Sequence, residues 1–223
     1  MATGTEATGG PGSGERASAA RRYAGLSGIA VAVLFGTGSA IWGLDMPEDG
    51  TPVAEVVDFY RDTSGRIVVG ASLSLLGIAA FVLFAAALRQ VLTEAGGDDF
   101  LATTAFGGGL LGLAAGLGAE TINMVAALRA RDGELSDALA QSLFEISQIL
   151  GSTASGVGMG VFALATATVA LRTGIVLPRW VAIVTFALGV ALLTPLSHVN
   201  VLPGAALVLL TSMIAVALLR MKC

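Results

Sequence analysis

Six stretches of the chain, at about residues 23–44, 67–88, 101–128, 141–171, 180–197 and 199–219, each hold an uncharged run of 18 residues or more. A helix rises 1.5 Å per residue, so roughly 20 such residues cross a hydrocarbon core about 30 Å thick. The pattern predicts an all-α, polytopic membrane protein with six transmembrane helices. Between the last two spans a turn bracketed by Pro195 and Pro203 leaves no room for a domain.

Two segments break this rhythm. Residues 1–22 are rich in Gly, Ala, Thr and Ser without an apolar run, which predicts a disordered cytoplasmic tail. The apolar run that follows is too long for the h-region of a signal peptide, so it is expected to remain as the first span. Residues 52–62 carry Val53, Val56, Val57 and Tyr60 at i, i+3, i+4 and i+7, with Asp58 and Asp62 flanking the stripe. After the Thr51-Pro52 start this predicts a short amphipathic helix lying on the outer leaflet or capping the bundle. The nearby acids Asp45, Glu48, Asp49 and Glu55 do not have the spacing of a calcium loop and read as a solvated face.

Basic residues orient the spans, because Arg and Lys are retained on the cytoplasmic side. With the N-terminus inside, eight basic residues fall in the cytoplasm (Arg16, Arg21, Arg22, Arg89, Arg172, Arg179, Arg220 and Lys222) and four outside (Arg61, Arg66, Arg129 and Arg131). Both termini are then cytoplasmic. Leu88-Arg89, Leu171-Arg172 and Leu219-Arg220 close three spans at the inner boundary as snorkelling anchors. Trp42 and Trp180 fall at opposite interfaces.

Composition agrees with a lipid solvent: 55% of the residues are hydrophobic, 13% are charged, and the mean hydropathy is +0.83. Ordinary soluble domains carry about a quarter charged residues. A net charge of -4 argues against nucleic acid, whose phosphates require a basic face. The single cysteine, Cys223, excludes an intrachain disulfide and a multi-cysteine metal site. One histidine without an H-E-x-x-H motif offers no zinc site, and no cofactor is expected. Eleven of the twelve basic residues are arginine, a usage expected of a GC-rich bacterial genome.

Small residues mark helix contacts. The third span has Gly108, Gly112 and Gly116 four residues apart, and the fourth has Ser152, Gly156 and Gly160 at the same spacing. In lipid such stripes allow close backbone approach, so these two faces are expected to pack together. The next position in the first series is Glu120. Above Ser152 on the fourth helix lie Gln148, Glu145 and Gln141 on one side. Counting from Arg172, Glu145 lies about 40 Å up, just outside the hydrocarbon core. Glu120, Asn123, Gln141, Glu145, Gln148 and His198 therefore form a candidate polar pocket at one outward-facing mouth. Acids inside a membrane suggest proton relay or solute coordination. The alternative is that both glutamates are interfacial and reach water or pair with Arg129 and Arg131.

Three runs carry a family resemblance: Pro52–Asp62, Ala86–Arg89 and Leu171–Trp180. The last of these has the form R-[ST]-G-x(1,2)-L-P-R-W. With them the chain resembles the uncharacterised bacterial six-span membrane proteins of the domain of unknown function 4386 group, over roughly residues 23–220. The resemblance implies the six-span fold and no transferable activity. Physically, the turn sets Arg172 and Arg179 at the inner interface, breaks the helix at Gly174 and restarts it at Pro178. A contact with anionic lipid is also expected at these two arginines.

These readings favour a non-enzymatic integral protein of the plasma membrane. A small-solute or proton-coupled transporter with an outward-facing acidic pocket is the alternative. An intramembrane hydrolase built on Ser155 and His198 ranks last, since Thr153-Ala154-Ser155-Gly156 lacks the leading glycine of the rhomboid motif.

Overall fold

The computed structural model describes residues 13–48, 50–96, 98–194 and 201–220. Every regular element among them is helical: α1 (Ser13–Gly43), α2 (Val53–Asp62), α3 (Ser64–Glu94), α4 (Asp99–Arg131), α5 (Asp137–Ile149), a π-helical turn (Leu150–Ala154), α6 (Ser155–Thr173), α7 (Arg179–Leu192) and α8 (Val201–Arg220). Five helical stretches are long and apolar enough to cross a membrane, with α5, the π turn and α6 acting as one of 37 residues.

Helix ends follow local chemistry. Asp98 caps α4 by accepting from the Phe100 amide at 3.0 Å. Gly174 ends α6 with φ +66°, the left-handed conformation that favours glycine, and Pro178 precedes α7. This is the break and restart expected of that turn. A single residue, Thr63, separates α2 from α3, and its hydroxyl donates to the Phe59 carbonyl at 2.5 Å.

Two boundaries differ from expectation. Helix α1 begins at Ser13, so residues 13–22 are helical rather than a disordered tail. Ala17, Ala19 and Ala20 favour helix, and Ala20 and Ala24 are buried in the core. Helix α7 has 14 residues where a span over 180–197 was expected. At 1.5 Å per residue that is about 21 Å, short of the hydrocarbon thickness. Pro195 supplies a reason, since the residue before a proline is pushed out of the helical region. Residues 195–200, including His198, lie outside the described residues.

The long helices close into a ring. Helix α1 packs on α3, α3 on α4, α4 on α6, α6 on α7, α7 on α8, and α8 back on α1. At its centre Phe81, Phe84 and Phe162 meet with ring centroids 5.5, 5.5 and 6.3 Å apart. Large apolar side chains such as Leu83, Leu111 and Ile183 point outward. Helix α2 lies across α4 and α5 with Val56, Val57, Phe59 and Tyr60 buried, so the amphipathic helix caps the bundle.

The contact expected between the glycine stripes exists, on a different face of α6. The closest residue there is Gly158: a Cβ on it would strike the backbone nitrogen of Gly112 and stand 2.5 Å from its Cα. Gly112 in turn faces Met159 and Ser155, and Gly108 faces Phe162. Gly160 instead admits α7, where a Cβ would lie 3.1 Å from the Gly189 carbonyl. Gly158 lies two residues from both Gly156 and Gly160, about 200° around the helix, so it faces away from the predicted stripe. A second close contact, α1 on α3, brings Gly38 and Gly70 together, each Cβ position 2.5 Å from the other's carbonyl oxygen.

Candidate functional site

Polar residues become buried in one region, beneath α2. Tyr60 is fully buried and its hydroxyl donates to Asn123 Oδ1 on α4 at 2.8 Å. Asn123 is 3% and Glu120 7% exposed, one turn apart on α4, with Glu120 about 16 Å from the C-terminal end of that helix. Ser74 on α3 is fully buried and lies close to the Glu120 carboxyl without a hydrogen bond of normal geometry. One turn above Ser74, Gly70 leaves space for the indole of Trp42, with Nε1 3.2 Å from where a Cβ would stand.

The fourth wall is the π turn. Gly151 packs beside Ala119, and Ser147 lies beside Tyr60, which itself reaches Asn123. These two antiparallel pairings set Gln148 opposite Ile122, about 3 Å along the helix axis from Glu120. Ser152 donates to the Gln148 carbonyl at 2.5 Å and Ser147 to the Phe144 carbonyl at 2.8 Å. Such bonds compete with the regular ladder, and a π turn in an otherwise α-helical segment commonly marks a functional position.

The electrostatics of the group are one-sided. Glu120 is the one residue of charged type in the buried set among the described residues. The ion pairs are exposed: Arg61–Asp58, Arg66–Asp45, Arg89–Asp99 and Arg131–Asp132. Four buried atoms here have no hydrogen-bond partner: Glu120 Oε2, Ser74 Oγ, Trp42 Nε1 and Gln148 Nε2. One is an acceptor, two are donors, and the serine is either. Burial pushes the Tyr60 phenol well above the ordinary tyrosine range, and the Ser147 hydroxyl only partly opposes it.

Of the expected pocket, Glu120, Asn123 and Gln148 are the members that are buried. Glu145 does not join them: it is exposed, and its Oε1 accepts from Gln141 Nε2 at 2.5 Å. Helix α5 turns that face to the surface because its other side, with Ala140, Phe144 and Ser147, packs under α2 and α4. The shared carboxylate pocket is thus corrected to a single buried carboxyl. Tyr60, Ser74, Trp42 and Ser147 were missing from the expectation. Gly70 and Ser74 form a small-residue stripe four apart, like those of the third and fourth spans, and that spacing was the available signal.

No protein-family model, curated protein or solved structure matches the chain.

Proposed function

We propose that this is a six-span, multi-pass protein of the bacterial plasma membrane with both termini in the cytoplasm, non-enzymatic in action, and akin to the domain of unknown function 4386 group it resembles. The arginine distribution supports the orientation, and α7, fifth in chain order, is the crossing that brings the five long apolar stretches to six. The carrying observation is how the serines of the fourth apolar stretch are engaged. Ser147 and Ser152 donate to carbonyls of their own helix, and Ser155, the serine of the hydrolase reading, faces the Gly112 and Gly116 stripe at a helix contact. These hydroxyls serve packing rather than nucleophilic attack. Val176 and Leu177 are buried and hold Arg172 and Arg179 at the bundle edge, where both are exposed and suited to anionic lipid.

A second reading, a small-solute or proton-coupled transporter, is favoured by the partnerless Glu120 Oε2 beside the π turn. Both readings require the topology, which cysteine labelling in a Cys223→Ser background tests. Glu48→Cys and Asp132→Cys should react with an impermeant reagent from outside, and Glu94→Cys only after the membrane is opened. Reaction of Asp132→Cys only from the cytoplasmic side overturns the orientation. Solute uptake that falls in Glu120→Gln at normal protein levels would select the transport reading.

A further inference from the structure

We propose that Glu120 is a proton-exchange site in the outer half of the bundle, hydrated through Ser74, Trp42 and Gln148 and covered by α2 through the Tyr60–Asn123 contact. The proposal deepens the transport reading, on which it rests for its place in the membrane.

Three observations carry it. Glu120 is 93% buried on the complement of its 7% exposure, and its Oε2 has no partner. Acids inside a bundle are ordinarily paired or solvated, yet no basic side chain stands in the buried set among the described residues. The neutralising charge must therefore come from a bound species. The identity of the partnerless neighbours selects which one. A metal cation would be ringed by oxygens, whereas Trp42 Nε1 and Gln148 Nε2 present N–H groups. Donors on the elements around a carboxyl suit bridging water, which accepts from them and donates to the carboxyl. Such water hands a proton to one Glu120 oxygen as it takes one from the next water outward, so charge and atoms balance.

The titratable and charged groups on the surrounding elements are few. Helix α2 offers Tyr60, buried, and the exposed Glu55, Asp58, Arg61 and Asp62. Arg66 at the outer end of α3 pairs with Asp45 after α1 at 2.6 Å. Arg129 and Arg131 lie two to three turns above Glu120 on α4, and Glu145 on α5 is exposed. Glu120 and Tyr60 are thus the two buried titratable groups, and burial keeps the Tyr60 phenol protonated through the neutral range.

The cover is α2. Its link to α4 at this level is the Tyr60 hydroxyl on Asn123 Oδ1, and opening that contact exposes the carboxyl to outside water.

The test uses the full chain, purified and reconstituted in liposomes, with Trp180→Phe leaving Trp42 as the one tryptophan. Trp42 emission is followed from about pH 5 to 9, the range in which shifted carboxyls titrate. In parallel, a hydrophobic carbodiimide, which reacts with carboxyls that carry their proton, is mapped by peptide mass. The expected result is a one-proton step in emission, abolished by Glu120→Gln and retained in Glu145→Gln. A carbodiimide adduct on Glu120 should decline as pH rises through the same step. Tyr60→Phe should speed labelling by about threefold or more, since loss of the bond populates the open cover. No adduct at any pH, in protein that melts normally, overturns the proposal, as does a step that survives Glu120→Gln. Protection by added sodium at constant pH also overturns it, in favour of a metal cation. A trapped pH dye separates the two readings: a step and an adduct without proton flux sink transport and leave the site standing.

Discussion

Tyr60 on α2 donates to Asn123 Oδ1 on α4 across 63 residues of sequence, at 2.8 Å and with both side chains buried. One hydroxyl thereby fastens the amphipathic helix to the transmembrane bundle. Tyr60→Phe keeps the ring, which packs on Phe59 at 5.4 Å, and removes the donor. The cost should be about 1–3 kcal/mol, because Asn123 Oδ1 loses its partner while remaining buried. Limited proteolysis of the segment between α1 and α2 should accelerate by roughly tenfold for each 1.4 kcal/mol of that loss. An unchanged rate would mean that apolar packing alone holds α2.

The same phenol makes stability depend on alkaline pH. Its proton is held more tightly in the folded chain than in the unfolded one, where the ordinary value of about 10 applies. Below that value both states keep the proton and the contribution is complete. As pH rises through 10 toward the raised folded value, the unfolded state ionises first and stability falls. Thermal melts of the wild type should therefore drop above about pH 10 more steeply than those of Tyr60→Phe.

Glycine substitutions should divide by what stands opposite. Gly158→Ala places a methyl against the backbone of Gly112 and 2.8 Å from the Gly108 carbonyl, so α4 and α6 must separate. A loss of about 3 kcal/mol or more is expected, at the upper end of overpacking costs because the obstacle is backbone. Gly107→Ala has nothing within 4 Å and should be neutral, or stabilising by up to about 1 kcal/mol from helix propensity. Melting temperatures in detergent decide it; equal losses at the two sites would contradict the close α4–α6 contact.

Gly174 is held at φ +66° with open space around it, so its constraint is conformational rather than steric. Gly174→Ala should cost about 1 kcal/mol and Gly174→Asn less, since asparagine tolerates the left-handed region. Equal behaviour of the two variants in the same melts would show that the turn adopts another conformation.

Much of this architecture was legible along the chain. Long uncharged runs predicted the transmembrane helices because lipid requires every backbone group to be satisfied within its own helix. The 3.6-residue stripe of Val56, Val57 and Tyr60 marked α2, since one side of that helix meets water and the other apolar side chains. Gly174 and Pro178 set their turn through backbone geometry alone. Glu120, Asn123 and Gln148 could be chosen as a group because a polar residue in an apolar run is costly wherever it points.

Tertiary structure decided the facing of the long helices. A helix between lipid and other apolar helices is hydrophobic all round, so periodicity cannot tell its inner side from its outer one. Gly156 and Gly160 were thus as plausible as Gly158 for the α4 contact, and only the packing of α4 against Gly158 and of α7 against Gly160 separated them. Glu120 and Glu145 had equal standing in sequence, and only the packing of α5 under α2 left one buried and the other in solvent. Tyr60 and Ser74 joined Glu120 because α2 and α3 both pack on α4, and Trp42 follows through its contact with Gly70 on α3. Local sequence determines where a helix begins, ends and enters lipid, while the burial of its polar side chains depends on neighbours brought from elsewhere in the chain.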